Sequence, residues 1–357
     1  MKSGPWIWSE RVDLGVFLLP TVAGALLALG AGALGYEGKT PEWGWLIFIV
    51  GVDVAHVWAT LYRTYLDPIE IRRRPWLYAL TPLGCWAAGA ALHAHSSLLF
   101  WRVLAYVAVF HFMRQQAGWT AIYRARAGQR SAVDRLLDDA AIYLGTGVPI
   151  LLWHTRLPRP FSWFVDGDFI ATPALVALEA PAQALLAVTL VAWAARQVQL
   201  ALRGELVPLG KAAVVLTTAA GWYGGIVLAR DDWSFTVINV LPHGVPYFML
   251  LWAYGKARRR TAPGTPGSRL VAAGLVPFLG ALVLLAFCEE LVWDRVIWHD
   301  RPWLFGGLPS VDAHAFAHLL VPLLALPQST HYVLDAFIWR RGATGPEQAE
   351  ALGFRAA

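Results

Sequence analysis

Four histidines stand in stretches otherwise built of apolar side chains: His56 in GVDVAHVWATLYRTY, His111 in VAVFHFMRQQAGW, His243 in NVLPHGVPYF and His331 in LPQSTHYVLDAFIWRR. Asp53 precedes His56 by three positions, Gln115 follows His111 by four, and Asp335 follows His331 by four. Residues three or four apart share one face of a helix. Imidazole and carboxylate together suit iron, zinc or manganese. A dinuclear centre in a helical bundle draws on pairs one turn apart, so that both side chains project inward. The expected ligands are therefore His56, His111, His243 and His331. Asp53 and Asp335 are expected either as carboxylate ligands or as groups that orient the rings. Gln115, Tyr62 and Tyr332, together with Gln116 and Thr330, are candidates for the hydrogen bonds around such a site. With no thiolate near, the expected cofactor is non-haem iron, as two ions, working with oxygen.

A second constellation is Glu289 and Glu290 in FCEELVWDR with His314 and His318 in DAHAFAH. His93 and His95 end an apolar run on the same side. The spacing H-x-x-x-H offers two ligands to one metal when it lies on a helix. Either these residues form a second metal site, or they are interfacial groups facing water.

The elements that must hold these residues follow from composition. The chain has 357 residues, of which 57% are hydrophobic and only 15% charged, where a soluble domain carries about 25%. Two cysteines, Cys85 and Cys288, exclude a disulfide framework and any Cys-x-x-Cys metal site. A helix crosses a bilayer in roughly 20 apolar residues. About ten such runs are expected, over 13–35, 43–63, 77–96, 98–122, 136–154, 175–202, 207–229, 234–255, 269–291 and 312–339. The prolines and Gly244 beside His243 are expected to break the eighth run and expose backbone carbonyls.

The connections LYRTYLDPIEIRRRP, YRARAGQR, RQVQLALRGE and GKARRRTAPGTPGSR are basic, and those alternating with them are poorer in Lys and Arg. Loops rich in Lys and Arg stay cytoplasmic, so both termini are expected there. Arg63 and Arg114 are expected to reach lipid headgroups or, as the alternative for either, to bind an anionic substrate head. The 19 tryptophans suit interfacial belts. The net charge of +5 sits in these loops and gives no nucleic-acid signature. The expected fold is all-α, a single polytopic transmembrane domain over 1–357, in a bacterial inner membrane. By the helical rise of about 1.5 Å per residue, the four histidines share a depth nearer the cytoplasm.

The ligand chemistry resembles that of histidine-rich integral-membrane di-iron enzymes, the desaturases and hydroxylases of lipids. Of that family's boxes, only His314-x-x-x-His318 has the H-x-x-x-H spacing, on the outer side, and H-x-x-H-H does not occur. The resemblance implies a reaction class: oxidation of a hydrophobic small molecule, fed by an electron donor and membrane lipids. EELVWDR resembles the E-E-x-x-x-R of intramembrane CAAX-type proteases, with Arg295 one place too far.

Two other functions fit parts of the pattern. Haem b needs opposed histidines on two helices. His318 and His331 lie about 20 Å apart along one helix, where each could face a partner such as His93 or His56. Buried Asp and His beside a proline-interrupted helix also suit a proton or metal-ion path.

Overall fold

A computed structural model describes residues 4–36, 38–311, 313–340 and 345–354. Among the described residues helix is the only regular structure. In lipid each backbone N–H and C=O must find its partner inside its own segment, and the helix does this. In chain order the main helices are α1 (Glu10–Leu29), α2 (Glu42–Arg63), α3 (Pro75–His95), α4 (Ser97–Arg126), α5 (Ala132–Thr155), α6 (Pro173–Leu202), α7 (Leu209–Leu228), α8 (Asp232–Thr261), α9 (Leu275–Trp298), α10 (Ala317–Leu324) and α11 (Leu326–Ile338).

Eight of these, all except α3, α10 and α11, are long and apolar enough to cross a membrane. They mark the chain as a membrane protein. Only 6% of the apolar stretch of α6 and 17% of that of α9 is buried, so most of that apolar surface is left for lipid. The expected run 312–339 is divided at Ala325 into α10 and α11. Pro322 and Pro327, which flank that break, each lack a donor for the helical ladder.

The described residues pack as two compact units. The first comprises Met1–Glu42, Ala108–Pro246 and Ala349–Ala357. In it α5 lies against α6 and α7, and α1 lies against α7. Val148, Leu152, Leu186 and Val227 form a buried apolar cluster there. Its polar anchor is Asp138, which is fully buried with Lys211. The Asp138 carboxylate takes Lys211 Nζ at 3.1 Å, Arg124 at 3.1 Å and the Trp193 indole N–H at 2.9 Å. A second buried carboxylate, Asp13, accepts from the backbone N–H of Ile7 at 2.7 Å and from the Tyr123 hydroxyl at 2.5 Å. Close approach is also built in. A Cβ at Gly24 of α1 would collide with the Val237 carbonyl of α8.

The second unit comprises Trp43–Val107 and Tyr247–Gln348. Here α9 lies along α2, α3 lies against α10 and α11, and α11 lies against α2. The expectation for Arg63 is corrected: it is wholly buried instead of reaching the headgroups. After α2 the chain turns back, and Asp67 caps the short helix Pro68–Arg73. That turn brings Glu70 to 3.1 Å from the Arg63 guanidinium, which also donates to the Tyr254 hydroxyl at 3.1 Å. Tyr254 in turn donates to Asp67 at 2.6 Å, and Arg258 donates to the same oxygen at 2.6 Å. Paired in this way, the charges can stay inside. Arg114 of the first unit donates to the Tyr143 hydroxyl at 2.8 Å.

Candidate metal centre

Two irregular features set the local frame. The first half of α2, Trp45–Val54, is π-helical, Ala55–Ala59 is α-helical, and Thr60–Arg63 is 3-10. Wide and tight turns in one helix are uncommon and gather at functional sites. Here they rotate His56 and Thr60 relative to a regular helix. The second feature is α8, which carries Pro242 and Pro246 yet runs unbroken from Asp232 to Thr261. The expectation of a broken helix at His243 is thus corrected. The prolines remove the N–H groups that would meet the Ile238 and Pro242 carbonyls. The Gln115 side-chain amide donates to the His243 carbonyl at 3.0 Å.

All four expected histidines are buried, with relative exposures of 2% at His56, 6% at His111 and 1% at both His243 and His331. An unsatisfied buried polar group costs about 1–3 kcal/mol. Four imidazoles buried in an apolar interior therefore have to be held by compensating interactions.

In the first unit His111 on α4 and His243 on α8 stand edge to face, with ring centroids 5.3 Å apart at 84°. Phe112 stacks flat on His243 at 3.6 Å and 10°, which fixes the plane of that imidazole. A crevice reaches His243, lined in part by Phe112, Gln116, Trp222 and Asn239.

In the second unit His56 and His331 meet in the same way, with centroids 5.2 Å apart at 85°. Tyr247 packs its ring edge to face on both, at 6.0 Å from His56 and 5.2 Å from His331. Thr60 Oγ1 lies 2.6 Å from His331 Nδ1 and 2.9 Å from the Tyr247 hydroxyl. The Tyr247 hydroxyl donates to Asp335 Oδ1 at 2.7 Å. Asp53 Oδ1 is 3.7 Å from His56 Nδ1, and Asp335 Oδ1 is 3.8 Å from His331 Nδ1. Both carboxylates stand beside a ring nitrogen, where they can orient it.

The remaining expected residues are placed as follows. The Tyr62 hydroxyl donates to the Phe278 carbonyl at 3.2 Å, a helix-packing role. The Tyr332 hydroxyl accepts from Gln328 at 2.8 Å. Thr330 is buried on the α11 turn that carries His331. In the outer constellation the Glu289 carboxylate accepts from the Trp58 indole N–H at 2.6 Å. Glu290 is half-buried and His318 is exposed. The His314 side chain lies outside the described part of the structure. His314–Phe316 is a 3-10 turn and α10 begins at Ala317. His314 and His318 therefore do not share the regular α-helical face that their spacing suggests. Among the described residues this constellation supplies no second group of metal-ligating atoms.

Thr60 and Tyr247 escaped the sequence reading. The signal was present, since each lies one helical turn after an expected ligand: Thr60 after His56 and Tyr247 after His243. A threonine and a tyrosine in an apolar run are common as packing residues, which hid them.

No protein-family model matches the chain, and no match is found among curated proteins or solved structures. Fold and side chains define the class so far: a polytopic helical membrane protein with buried histidines in orthogonal pairs.

Proposed function

We propose that the chain is a membrane-embedded metal-dependent oxidoreductase acting on a lipid-like substrate, with His56, His111, His243 and His331 as metal ligands. A single observation carries this reading. The four rings are buried as orthogonal pairs, His111 with His243 in the first unit, centroids 5.3 Å apart, and His56 with His331 in the second, 5.2 Å apart. Nitrogen ligands sit about 2.1 Å from a metal, so two ligands of one ion lie at most about 4.2 Å apart, and rings paired in this way can bring one nitrogen each that close.

An all-imidazole set suits iron, copper, nickel or zinc, and lacks the thiolates that select softer sites. A redox-active ion there supplies one-electron and oxygen chemistry. The chain's own residues hold the four rings, keep them dry and orient them. Their burial among apolar helices fits a hydrophobic substrate arriving through the bilayer. With Tyr247 packed edge to face on both rings, the His56–His331 pair leaves no breadth for a porphyrin between them.

If the oxidation is a desaturation or hydroxylation, an electron donor completes it. The basic loops support a cytoplasmic orientation for both termini in a bacterial inner membrane, so the donor would meet that face.

The test is elemental analysis and an absorption spectrum of the purified full-length protein in detergent, followed by oxygen consumption with lipid-like substrates. The expected result is bound iron, diminished in the His56→Ala and His243→Ala variants, with substrate-dependent oxygen uptake. A Soret band would move the assignment to haem b. A transition-metal content near zero after expression in metal-supplemented medium would remove the metal reading, and ion flux in liposomes would then be measured.

A further inference from the structure

We infer that Thr60, Tyr247 and Asp335 form a one-way hydrogen-bond relay that sets His331 as the Nδ1–H tautomer and turns the Nε2 lone pair toward the ion. The inference rests on the reading of His331 as a ligand. It assigns positioning roles to two residues, Thr60 and Tyr247, that contribute no ligand atom of their own.

The direction follows from counting protons. A carboxylate oxygen only accepts, and the Tyr247 hydroxyl donates its single proton to Asp335 Oδ1 at 2.7 Å. The Tyr247 oxygen must then accept in its 2.9 Å contact with Thr60 Oγ1. Thr60 likewise has one hydroxyl proton, and that contact uses it. At its 2.6 Å contact with His331 Nδ1 the Thr60 oxygen therefore accepts, so Nδ1 carries the ring proton. Neutral imidazole has one N–H, which leaves the lone pair on Nε2. Thr60, Tyr247 and His331 are dry, with exposures of 5%, 1% and 1%, so bulk water does not compete for the contacts among them; the Asp335 side chain at the end of the relay is 9% exposed.

The same residues fix the ring's position. The Tyr247 ring stands edge to face on His331 at 87°, which restricts rotation about the bond to the imidazole. Thr60 opens the 3-10 turn that ends α2, and its own backbone carbonyl accepts from the Thr64 hydroxyl at 2.8 Å. Thr60 is thus anchored independently of His331. Partners of this kind, one bond removed from the metal, are worth about 10–100-fold in metal affinity.

The experiment uses full-length protein in nanodiscs with 15N-labelled histidine, with His331 assigned by its disappearance in His331→Gln. In metal-stripped wild type the expected result is a protonated Nδ1 and a lone-pair Nε2 at His331. In Thr60→Val and in Tyr247→Phe the fixed tautomer is expected to be lost, and iron affinity to fall about 10–100-fold. Thr60→Ser keeps the hydroxyl and is expected to restore both within about threefold. A protonated Nε2 in wild type, or undiminished iron affinity in a folded Thr60→Val protein, would overturn the relay. Should Thr60→Val fail to fold, the isosteric Tyr247→Phe and the wild-type tautomer still decide it. A wild type that takes up no iron defeats the metal reading instead, and the tautomer measured without metal then judges the relay alone.

Discussion

The imidazole of His331 stands edge to face against that of His56, 5.2 Å away between ring centroids. The two come from distant parts of the chain, His56 from the short α-helical stretch between the π-helical and 3-10 parts of α2 and His331 from the regular helix α11. Two neutral imidazoles in this arrangement gain little from one another. Sharing an ion, each through one nitrogen, turns the same geometry to use.

Loss of a single ring should therefore be felt by the whole site. Replacing His56, His111, His243 or His331 with alanine is expected to weaken metal binding by more than about 100-fold, beyond the range of outer hydrogen-bonding partners. Elemental analysis of each variant after extensive dialysis reads this directly. His318→Ala, an exposed residue, is expected to retain the wild-type metal content.

Acid should strip the metal. Imidazole binds a metal only when neutral, and its ordinary pKa is about 6.5. Protonation competes with the ion, so apparent affinity is expected to fall as pH drops and to level off once the rings are neutral. Competition with a chromophoric chelator across pH 5 to 8 measures this. An affinity that rises as pH falls would contradict ligation by these rings.

The Asp138 anchor in the first unit should govern stability separately from metal content. Lys211→Met removes one of the two cations on a fully buried carboxylate. Breaking a buried ion pair costs about 3–5 kcal/mol, and Arg124 and Trp193 remain to offset part of that. A loss of about 3 kcal/mol is expected in equilibrium unfolding in mild detergent, while folded protein keeps its metal content.

Gly210 is one of the tightly confined glycines of that unit. A Cβ there would collide with the ring and hydroxyl of Tyr123, and Tyr123 is tied to the buried Asp13. Gly210→Ala is expected to cost about 1–3 kcal/mol by overpacking, read as a lowered melting temperature. Gly210→Ala combined with Tyr123→Phe should be no better, because the ring stays in the way. Tyr123→Ala should relieve the clash.

Much of the architecture was written in the chain. Eight of the expected runs coincide with helices long and apolar enough to cross a membrane, because apolar length is a local property. The histidines were legible for a similar reason, since an ionisable group inside such a run is costly and demands a role. The fate of Arg63 was not legible. Its burial depends on a turn that carries Glu70 back to it, a contact settled by packing.

What the sequence by itself determined was helix, membrane and the identity of four unusual side chains, each readable within one turn of its neighbours. Only the tertiary structure decided how the rings pair, that α8 stays whole through two prolines, and that Thr60 and Tyr247 connect His331 to Asp335. Those outcomes depend on rotations of about 100° per residue accumulated along different helices, and on π and 3-10 turns that shift the phase. Spacing within one segment fixes a face, and only packing against other segments fixes what that face meets.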